Sequence, residues 1–285
     1  MITWRQLDAF TNEYESKLGS PVSPRYLAGP GDPRHITHAL CAAGWSVPCD
    51  PLHPVIRMQS PDQQHELVFQ PSAQYARQWW TVHSGHGPDR WYATFSGSTP
   101  VEIIAGLTDT LLRPEPEKEP REDLAAILTG RSWEHTTDGL GGHRIVSPDR
   151  TTVVEQRISP SMGRCGWQIE VARTHRPHAP EGRLWCASLD IRTPAHVLGS
   201  VATALSNPAP VPRPRFAIDE SPHLTVGREI EISEQIVTAH QERLAAARRH
   251  RPAATAVTTT PAPSTPSVTR PPAAADHHLR HKDSL

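Results

Sequence analysis

The sequence predicts an α+β protein that contains two tandem repeats, each with the element order α-β-β-β-β-α. Segment Trp91–Leu112 is typical of a strand that runs into a helix, and Trp185–Leu205 repeats its tryptophan, alanine, Thr-Pro and apolar positions. Four short strand candidates lie between the two helices of each repeat. Short consecutive strands without long crossovers favour an antiparallel four-stranded meander with both helices on one face.

The strands of the first repeat are predicted by short runs rich in β-branched and aromatic residues. The candidates are Val55–Gln59, His65–Gln70, Trp79–His83 and Trp91–Phe95. The first two are separated by Ser60-Pro61-Asp62-Gln63, where proline at the second position followed by aspartate is typical of a type I turn.

The helices of the first repeat are predicted from capping signals and apolar spacing. Asp32-Pro33 begins the first helix and Gly44 ends it. Thr99, followed by Pro100 and Glu102, forms a capping box that begins the last helix. That helix carries one apolar stripe, made of Ile103, Ile104, Leu107 and Leu111.

The second repeat reproduces the first in the same order. Ser147-Pro148-Asp149 repeats Ser60-Pro61-Asp62, and Trp167 repeats Trp80 at the same spacing. After one longer loop, the Thr-Pro pair and the apolar stripe of the last helix also recur. Matching motifs in one order with one change of length indicate an internal duplication.

These patterns divide the chain into seven parts. They are an N-terminal helix at 1–21, the first repeat at 22–113, a linker at 114–120, the second repeat at 121–208, a linker at 209–232, a helix at 233–251 and a disordered tail at 252–285. The tail is predicted to be disordered because it is rich in Ala, Thr, Pro and Ser and has no core-forming pattern.

The composition excludes several classes of protein. Among 285 residues, 29 are basic and 30 acidic, so no overall field attracts nucleic acid or a membrane. Four cysteines do not make a disulfide scaffold. The N-terminus lacks the apolar segment of a signal peptide, and no apolar run is long enough to span a membrane. We therefore expect a cytoplasmic protein with reduced thiols.

The motifs PRYLAGPGDPRHITHAL, GW, SPD, WW and WYATFSGSTPVEIIAGLTD resemble an actinomycete family catalogued as domain of unknown function 317. The resemblance covers Pro24–Leu112 closely and the second repeat more loosely. It implies a tandem arrangement in a bacterial cytoplasmic protein. It implies no established activity, so no catalytic residue is carried over from the family.

Two groups of residues could ligate a metal ion. One lies in the first repeat: His35, His38, Cys41, Cys49 and His53. The other recurs in both repeats: His83 with His86, and His175 with His178. The first group has no counterpart in the second repeat, and the second lacks a fixed carboxylate, so we interpret both as capping, surface or loop histidines. Phosphate-loop, serine-hydrolase and metalloprotease motifs are absent from the sequence. We therefore predict no catalytic residue, no cofactor and no metal site.

A binding surface is predicted on the sheet face opposite the helices, here called the open sheet face. Neighbouring strand residues point to opposite faces, so a buried Trp80 would place Trp79 on the open sheet face, and Trp91 would do the same for Tyr92. The candidate binding residues are Arg57, Arg77, Trp79, Arg90 and Tyr92. Aromatic and arginine side chains on a sheet can stack the bases of single-stranded nucleic acid. Alternatively, the other repeat or a second chain covers this face.

The leading functional hypothesis is a non-catalytic binding or protein-interaction module, because the duplicated residues are core positions rather than polar clusters. One alternative is single-stranded nucleic-acid binding on the open sheet face. Another is an enzyme with a site between the repeats. The expected partner is a protein, with self-association included, and no membrane is expected.

Overall fold

The computed structural model describes residues 2–48, 54–71, 78–117, 123–159, 163–173, 182–218 and 221–252. The helices, α1 to α6 in chain order, are Trp4–Tyr14, Arg34–Ala42, Val101–Thr110, Leu124–Thr129, Ala195–Leu205 and Ser233–Arg249. The strands, β1 to β13, are Leu18–Ser23, Ile56–Gln59, His65–Phe69, Trp80–Ser84, Trp91–Phe95, Glu134–Thr137, His143–Val146, Thr152–Ser159, Gly163–Ala172, Arg183–Leu189, Val211–Pro214, Thr225–Val226 and Ile230–Glu231. The α+β class and the duplicated arrangement predicted from the sequence are confirmed.

Both repeats contribute to one nine-stranded antiparallel sheet, in the order β2-β3-β4-β5-β10-β9-β8-β7-β6. Strands β2 to β5 form the meander of the first repeat, and β7 to β10 form that of the second. Strand β6 adds an edge strand to the second repeat. In the first repeat, the corresponding position is a single bridge between Ser46 and Gln59.

The repeats join edge to edge through β5 and β10. Thr94 lies opposite Ser188, and the N–H of Ser96 donates to the carbonyl of Cys186 at 2.9 Å. Helices α3 and α5 pack against each other above this junction, where a Cβ on Gly106 would lie 2.6 Å from the Cβ of Ala204. The glycine therefore permits the close approach of the two helices.

One hydrophobic core lies between this sheet and the helices. Along β5, Trp91, Ala93 and Phe95 are buried, whereas Tyr92 is exposed. Strand β10 repeats this alternation, since Trp185, Ala187 and Leu189 are buried. The core includes buried residues of both repeats and of α6, so the two halves share one apolar interior.

Helix α3 begins one residue later than the capping box predicts. Its first residue is Val101, and the preceding Pro100 makes no side-chain capping bond. The carboxylate of Glu102, which the sequence assigns to the capping box, instead binds the guanidinium of Arg213 at 2.6 and 2.8 Å. Arg213 is only 3% exposed, and a buried cation needs a carboxylate partner. Glu102 therefore pairs with the buried Arg213 and does not cap α3.

The N-terminal segment and residues 209–232 also differ from the sequence prediction. Helix α1 ends at Tyr14, and β1 follows where the sequence predicts continued helix. Strand β1 pairs with β11, β12 and β13 in a second, small sheet, so part of the predicted linker at 209–232 is ordered. Apolar contacts stabilise this sheet, with Val22 opposite Val211. The tail predicted at 252–285 lies, apart from Pro252, outside the described residues.

All described residues belong to one compact unit, Met1–Pro252. Helix α6 lies within the predicted range 233–251, ends at Arg249 and packs against α1 and α2. None of the helices in the described ranges combines the length and the apolar character that crossing a membrane requires.

Candidate functional site

The duplicated Ser-Pro-Asp motif forms the same hydrogen-bonded turn in both repeats. In the first repeat, Asp62 Oδ1 accepts from the hydroxyl of Ser60 at 2.5 Å and from the N–H of Gln64 at 3.1 Å. Asp149 Oδ1 accepts from the hydroxyl of Ser147 at 2.5 Å in the same way. These bonds use one oxygen of each carboxylate and leave Oδ2 for another partner.

In the second repeat, that other partner is a tyrosine of the same chain. The hydroxyl of Tyr26 donates to Asp149 Oδ2 at 2.9 Å, and Trp185 Nε1 donates to the carbonyl of Tyr26 at 2.7 Å. The Tyr26 ring lies edge-on to Trp133, with 5.8 Å between ring centroids. Burial raises the pKa of Tyr26, and the Asp149 carboxylate raises it further. We call the space bounded by Trp133, Asp149, Trp185 and the start of α3 the second cleft.

The backbone that follows Tyr26 is also held at this position. Arg213 Nε donates to the carbonyl of Ala28 at 2.9 Å, and the N–H of Val101, the first residue of α3, donates to the carbonyl of Pro30 at 2.9 Å. Glu102 orients Arg213. Burial alone would raise the pKa of Glu102, but Arg213 lowers it to about 2. The second cleft thus binds the segment Tyr26–Pro30 of its own chain as a ligand would be bound.

The equivalent space in the first repeat is a cavity of about 780 Å³, which we call the first cleft. Trp45, Asp62 and Trp91 line it. By the duplication, these three residues are the counterparts of Trp133, Asp149 and Trp185. The residues that surround Tyr26 in one repeat therefore line a cavity in the other.

Both repeats contribute to the first cleft. Leu111 and Leu112, which directly follow α3, line it from the first repeat, and His196 at the start of α5 lines it from the second. Nδ1 of His196 is buried without a hydrogen-bond partner among the described residues. His65 and Ser84 also line the cleft. His65 Nδ1 lies 2.7 Å from the hydroxyl of Ser84, and burial lowers the pKa of His65.

The aromatic residues predicted for the open sheet face have different surroundings. Tyr92 is 46% exposed and lies opposite His83 in the β4–β5 pair. Trp79 is half-buried and its ring lies against Gly97, where an added Cβ would come within 2.5 Å of Trp79 Cδ2. The Trp79 ring is therefore partly covered by the chain itself.

The three arginines predicted for that face differ in their surroundings. Arg57 is ion-paired with Glu66 at 3.1 Å. Arg90 is exposed just before β5, and Arg77 lies outside the described residues. In the second repeat, arginines on the strands also pair with carboxylates: Arg144 and Arg157 with Glu155, and Arg183 with Glu170. Paired charges of both signs make this face less attractive to a phosphate backbone than unpaired arginines would.

The histidines and cysteines considered as metal ligands do not form a metal site among the described residues, and one of them, His38, packs between helices. His38 Nδ1 lies 3.2 Å from Nε2 of His240 on α6, and His240 stacks on Phe10 of α1 with 4.0 Å between ring centroids. These rings therefore join three helices. In the part of the chain that the structure describes, no group of three or more His, Cys, Asp or Glu side chains is arranged to hold a metal ion. Four candidates lie outside that part: Cys49, His53, His175 and His178.

Sequence reasoning did not find the two clefts. It interpreted Asp62 and Asp149 only as turn residues, and it did not single out Tyr26. One signal was present, because the aspartate recurs in both repeats while type I turns tolerate many residues at that position. The contact between Tyr26 and Asp149 joins residues that are far apart in the chain, so no local sequence pattern predicts it.

A family model for the SPDY domain, described as a domain of unknown function (DUF317), matches residues 59–117 and 146–211. The two matched segments contain the two Ser-Pro-Asp turns and the two strand-helix units that form the repeat junction. No curated protein and no solved structure matches the chain. The chain thus matches this family model twice, once in each repeat, and the two matched segments are joined in one sheet.

Proposed function

We propose that this protein is a non-catalytic binding module that takes a segment of a partner protein in the first cleft. The observation that carries the proposal is the difference between the two repeats. The second cleft contains Tyr26–Pro30, whereas the matching residues of the first repeat line a cavity of about 780 Å³. Binding pockets of proteins commonly have volumes of roughly 300–1,000 Å³.

The lining of the first cleft supports a binding role. It combines apolar surface from Trp45, Trp91 and Leu112 with polar groups from Asp62 and Gln64. Apolar walls with a few polar groups are typical of pockets that recognise a ligand by shape and hydrogen bonding. The lining comes from both repeats, so the duplication itself builds the cleft. A cytoplasmic location remains a prediction from the sequence.

The open sheet face gives less support to nucleic-acid binding. Its described strand arginines are ion-paired, and Trp79 is partly covered by Gly97. Tyr92 remains available for stacking. We therefore propose the first cleft as the binding site, and the open sheet face serves as the control surface in its experimental test.

The test compares two exposed glutamines, Gln64 in the first cleft and Gln168 on the open sheet face. A photo-reactive benzoylphenylalanine is placed at either position in the full chain, and cells are irradiated. We expect a specific protein adduct from position 64 and none from position 168. Adducts from position 168 alone would contradict the proposal, and nucleic acid among them would favour the alternative function.

One contact favours an enzyme as a second candidate. His65 and Ser84 form a hydrogen-bonded pair in the first cleft, and a histidine beside a serine can activate its hydroxyl as a nucleophile. Among the described residues, no carboxylate accepts a hydrogen bond from His65, so the usual third member is not seen there. A fluorophosphonate probe tests this candidate. Labelling that disappears in Ser84→Ala would establish a reactive serine, and no labelling would exclude one.

A further inference from the structure

The first cleft matches the second cleft at the three groups that bind Tyr26–Pro30. In the second cleft, these groups are a carboxylate oxygen of Asp149, the indole N–H of Trp185 and the N–H of Val101. Each recognises a different part of the segment: the phenol hydroxyl, the tyrosine carbonyl and a carbonyl four residues later. Together they define the chemistry of the occupant.

The counterparts in the first repeat are Asp62 Oδ2, Trp91 Nε1 and the N–H of Ala195. Asp62 and Trp91 line the first cleft, and Ala195 is the first residue of α5, as Val101 is of α3. Among the described residues, none of these three groups makes a hydrogen bond. Polar groups at the edge of an apolar cleft that match a bound set are positioned for the same ligand groups.

A fourth position supports the same conclusion. Glu102 in the second cleft orients Arg213, which holds the backbone of Tyr26–Pro30. Its counterpart by the duplication is His196, whose Nδ1 is buried without a partner in the described part of the chain. Buried polar atoms are nearly always hydrogen-bonded in folded proteins, so an unpaired one beside a cleft indicates a missing partner.

We propose that the first cleft binds a tyrosine-containing peptide segment of another protein, in the manner in which the second cleft binds Tyr26–Pro30. This inference rests on the proposed function and names its ligand. The tyrosine hydroxyl donates to Asp62 Oδ2, its ring packs beside Trp45, and its carbonyl accepts from Trp91 Nε1. The following residues extend toward the start of α5, where the N–H of Ala195 meets a backbone carbonyl.

The tail of this chain does not fit as the occupant. Residues 253–285 contain no tyrosine, phenylalanine or tryptophan. A second copy of the chain is also a poor occupant. Its Tyr26 is already held by Asp149 and Trp185, its Tyr14 donates to Asp32, and the carbonyl of its Tyr92 already accepts from the N–H of Asp190. The segment of a different protein therefore fits the three groups best.

The probe is a fluorescein-labelled synthetic peptide with the sequence of residues 24–31, PRYLAGPG, and binding to the full chain is followed by fluorescence anisotropy. We expect saturable binding. Replacing the tyrosine of the peptide by phenylalanine removes a hydrogen bond to a carboxylate, which should weaken binding about tenfold. Equal binding of the tyrosine and phenylalanine peptides would overturn the proposal, as would a failure of the peptide to bind.

Variants of the full chain locate the site. Asp62→Asn keeps the turn bonds, because asparagine also forms such turns, but it replaces the accepting oxygen by an N–H donor. The tyrosine-to-phenylalanine effect should then vanish. Trp91→Phe should weaken both peptides. Asp8→Asn is the matched control, since Asp8 is exposed on α1 and does not line the first cleft, and it should leave binding unchanged.

The outcomes separate this inference from the proposed function. If position 64 yields a protein adduct while tyrosine makes no difference to peptide binding, the cleft binds a partner but not through a tyrosine. If neither result appears, both are wrong. Sedimentation of the full chain tests whether a second copy of the chain is the occupant. A dimer that the peptide dissociates would mean that a second copy fills the first cleft. That result would overturn the assignment to another protein.

Discussion

At the scale of single residues, the two oxygens of each Ser-Pro-Asp carboxylate have different surroundings. One carboxylate oxygen closes the turn through the serine hydroxyl, and the other faces a cleft. In the second repeat, Asp149 uses this second oxygen to hold Tyr26 at 2.9 Å. A hydrogen bond from a phenol to an ionised carboxylate is stronger than one between neutral groups. The contribution of Tyr26 to stability should therefore be measurable.

Tyr26→Phe is expected to lower the free energy of unfolding by about 1–3 kcal/mol, because it leaves the half-buried Asp149 carboxylate without its donor. Urea unfolding followed by circular dichroism measures the change. Tyr92→Phe is the matched control, since Tyr92 is 46% exposed, and it should change stability by less than about 0.5 kcal/mol. An equal effect of the two substitutions would mean that the Tyr26–Asp149 bond contributes little.

At the scale of elements, helices connect the repeats to each other and to the N-terminal segment. Helices α3 and α5 cross closely at Gly106, and α6 is held on α2 and α3 through Arg243, which binds the carbonyl of His35 at 2.8 Å and the carboxylate of Asp109 at 2.6 Å. The buried contact of His38 with His240 adds a polar connection between α2 and α6. The contact of α3 with α5 and the contact of α2 with α6 each lead to a testable prediction.

Gly106→Ala is expected to destabilise the protein by about 1–3 kcal/mol, although alanine favours helix, because overpacking a close crossing costs more than helix propensity gains. The added Cβ would lie 2.6 Å from the Cβ of Ala204 and 3.0 Å from the carbonyl oxygen of Ser200. Thermal unfolding measures the effect. At Gly139 an added Cβ meets nothing within 4 Å, so Gly139→Ala is the control and should be close to neutral.

The stability of the protein should fall as the pH drops from about 6.5 to about 4. Burial and the neighbouring His38 lower the pKa of His240 from 6.5 to about 4. Over that range the unfolded chain binds a proton at this position and the folded chain does not, so each such histidine costs about 1.4 kcal/mol per pH unit. The charged groups that face His240 are Asp32, Arg34 and Arg243.

His240→Gln tests this dependence, because glutamine can hydrogen-bond to His38 but does not titrate. Unfolding free energies at several pH values between 4 and 7 should show a shallower slope for the variant than for the wild type. Some slope remains, since burial also lowers the pKa of His35 and His38. The exposed His86→Gln is the control, and a slope unchanged in both variants would refute the role of His240.

At the scale of the whole molecule, the two repeats form one folding unit. Strands β5 and β10 pair directly, and buried residues of both repeats belong to one apolar core. Separating the repeats would expose the edges of β5 and β10 and the apolar faces of α3 and α5. Each repeat therefore depends on the other for burial of its core.

Urea unfolding of the full chain is accordingly expected to show one transition. Far-ultraviolet circular dichroism and tryptophan fluorescence should have the same midpoint, which is the usual sign of a cooperative process. Gly106→Ala at the junction should move both midpoints together. Two separated transitions, or a shift of only one, would show that the repeats unfold independently.

The sequence by itself determined the duplication, the strand order within each meander and the buried face of each strand. Those features follow from local periodicity and from recurrence at a fixed spacing, which are visible in one dimension. A helix near the position of α6 was equally accessible, because its apolar and polar positions are local.

Only the tertiary structure decided how the repeats join, which segment pairs with β1 and what occupies the second cleft. Glu102 pairs with Arg213 rather than capping α3, and Asp149 binds Tyr26, which lies 123 residues earlier in the chain. Such partners are distant in the chain and are selected by the need to pair buried polar groups, which acts only when the fold has brought them together. In the second cleft, Tyr26 pairs with these polar groups, whereas in the first cleft the equivalent groups face a cavity.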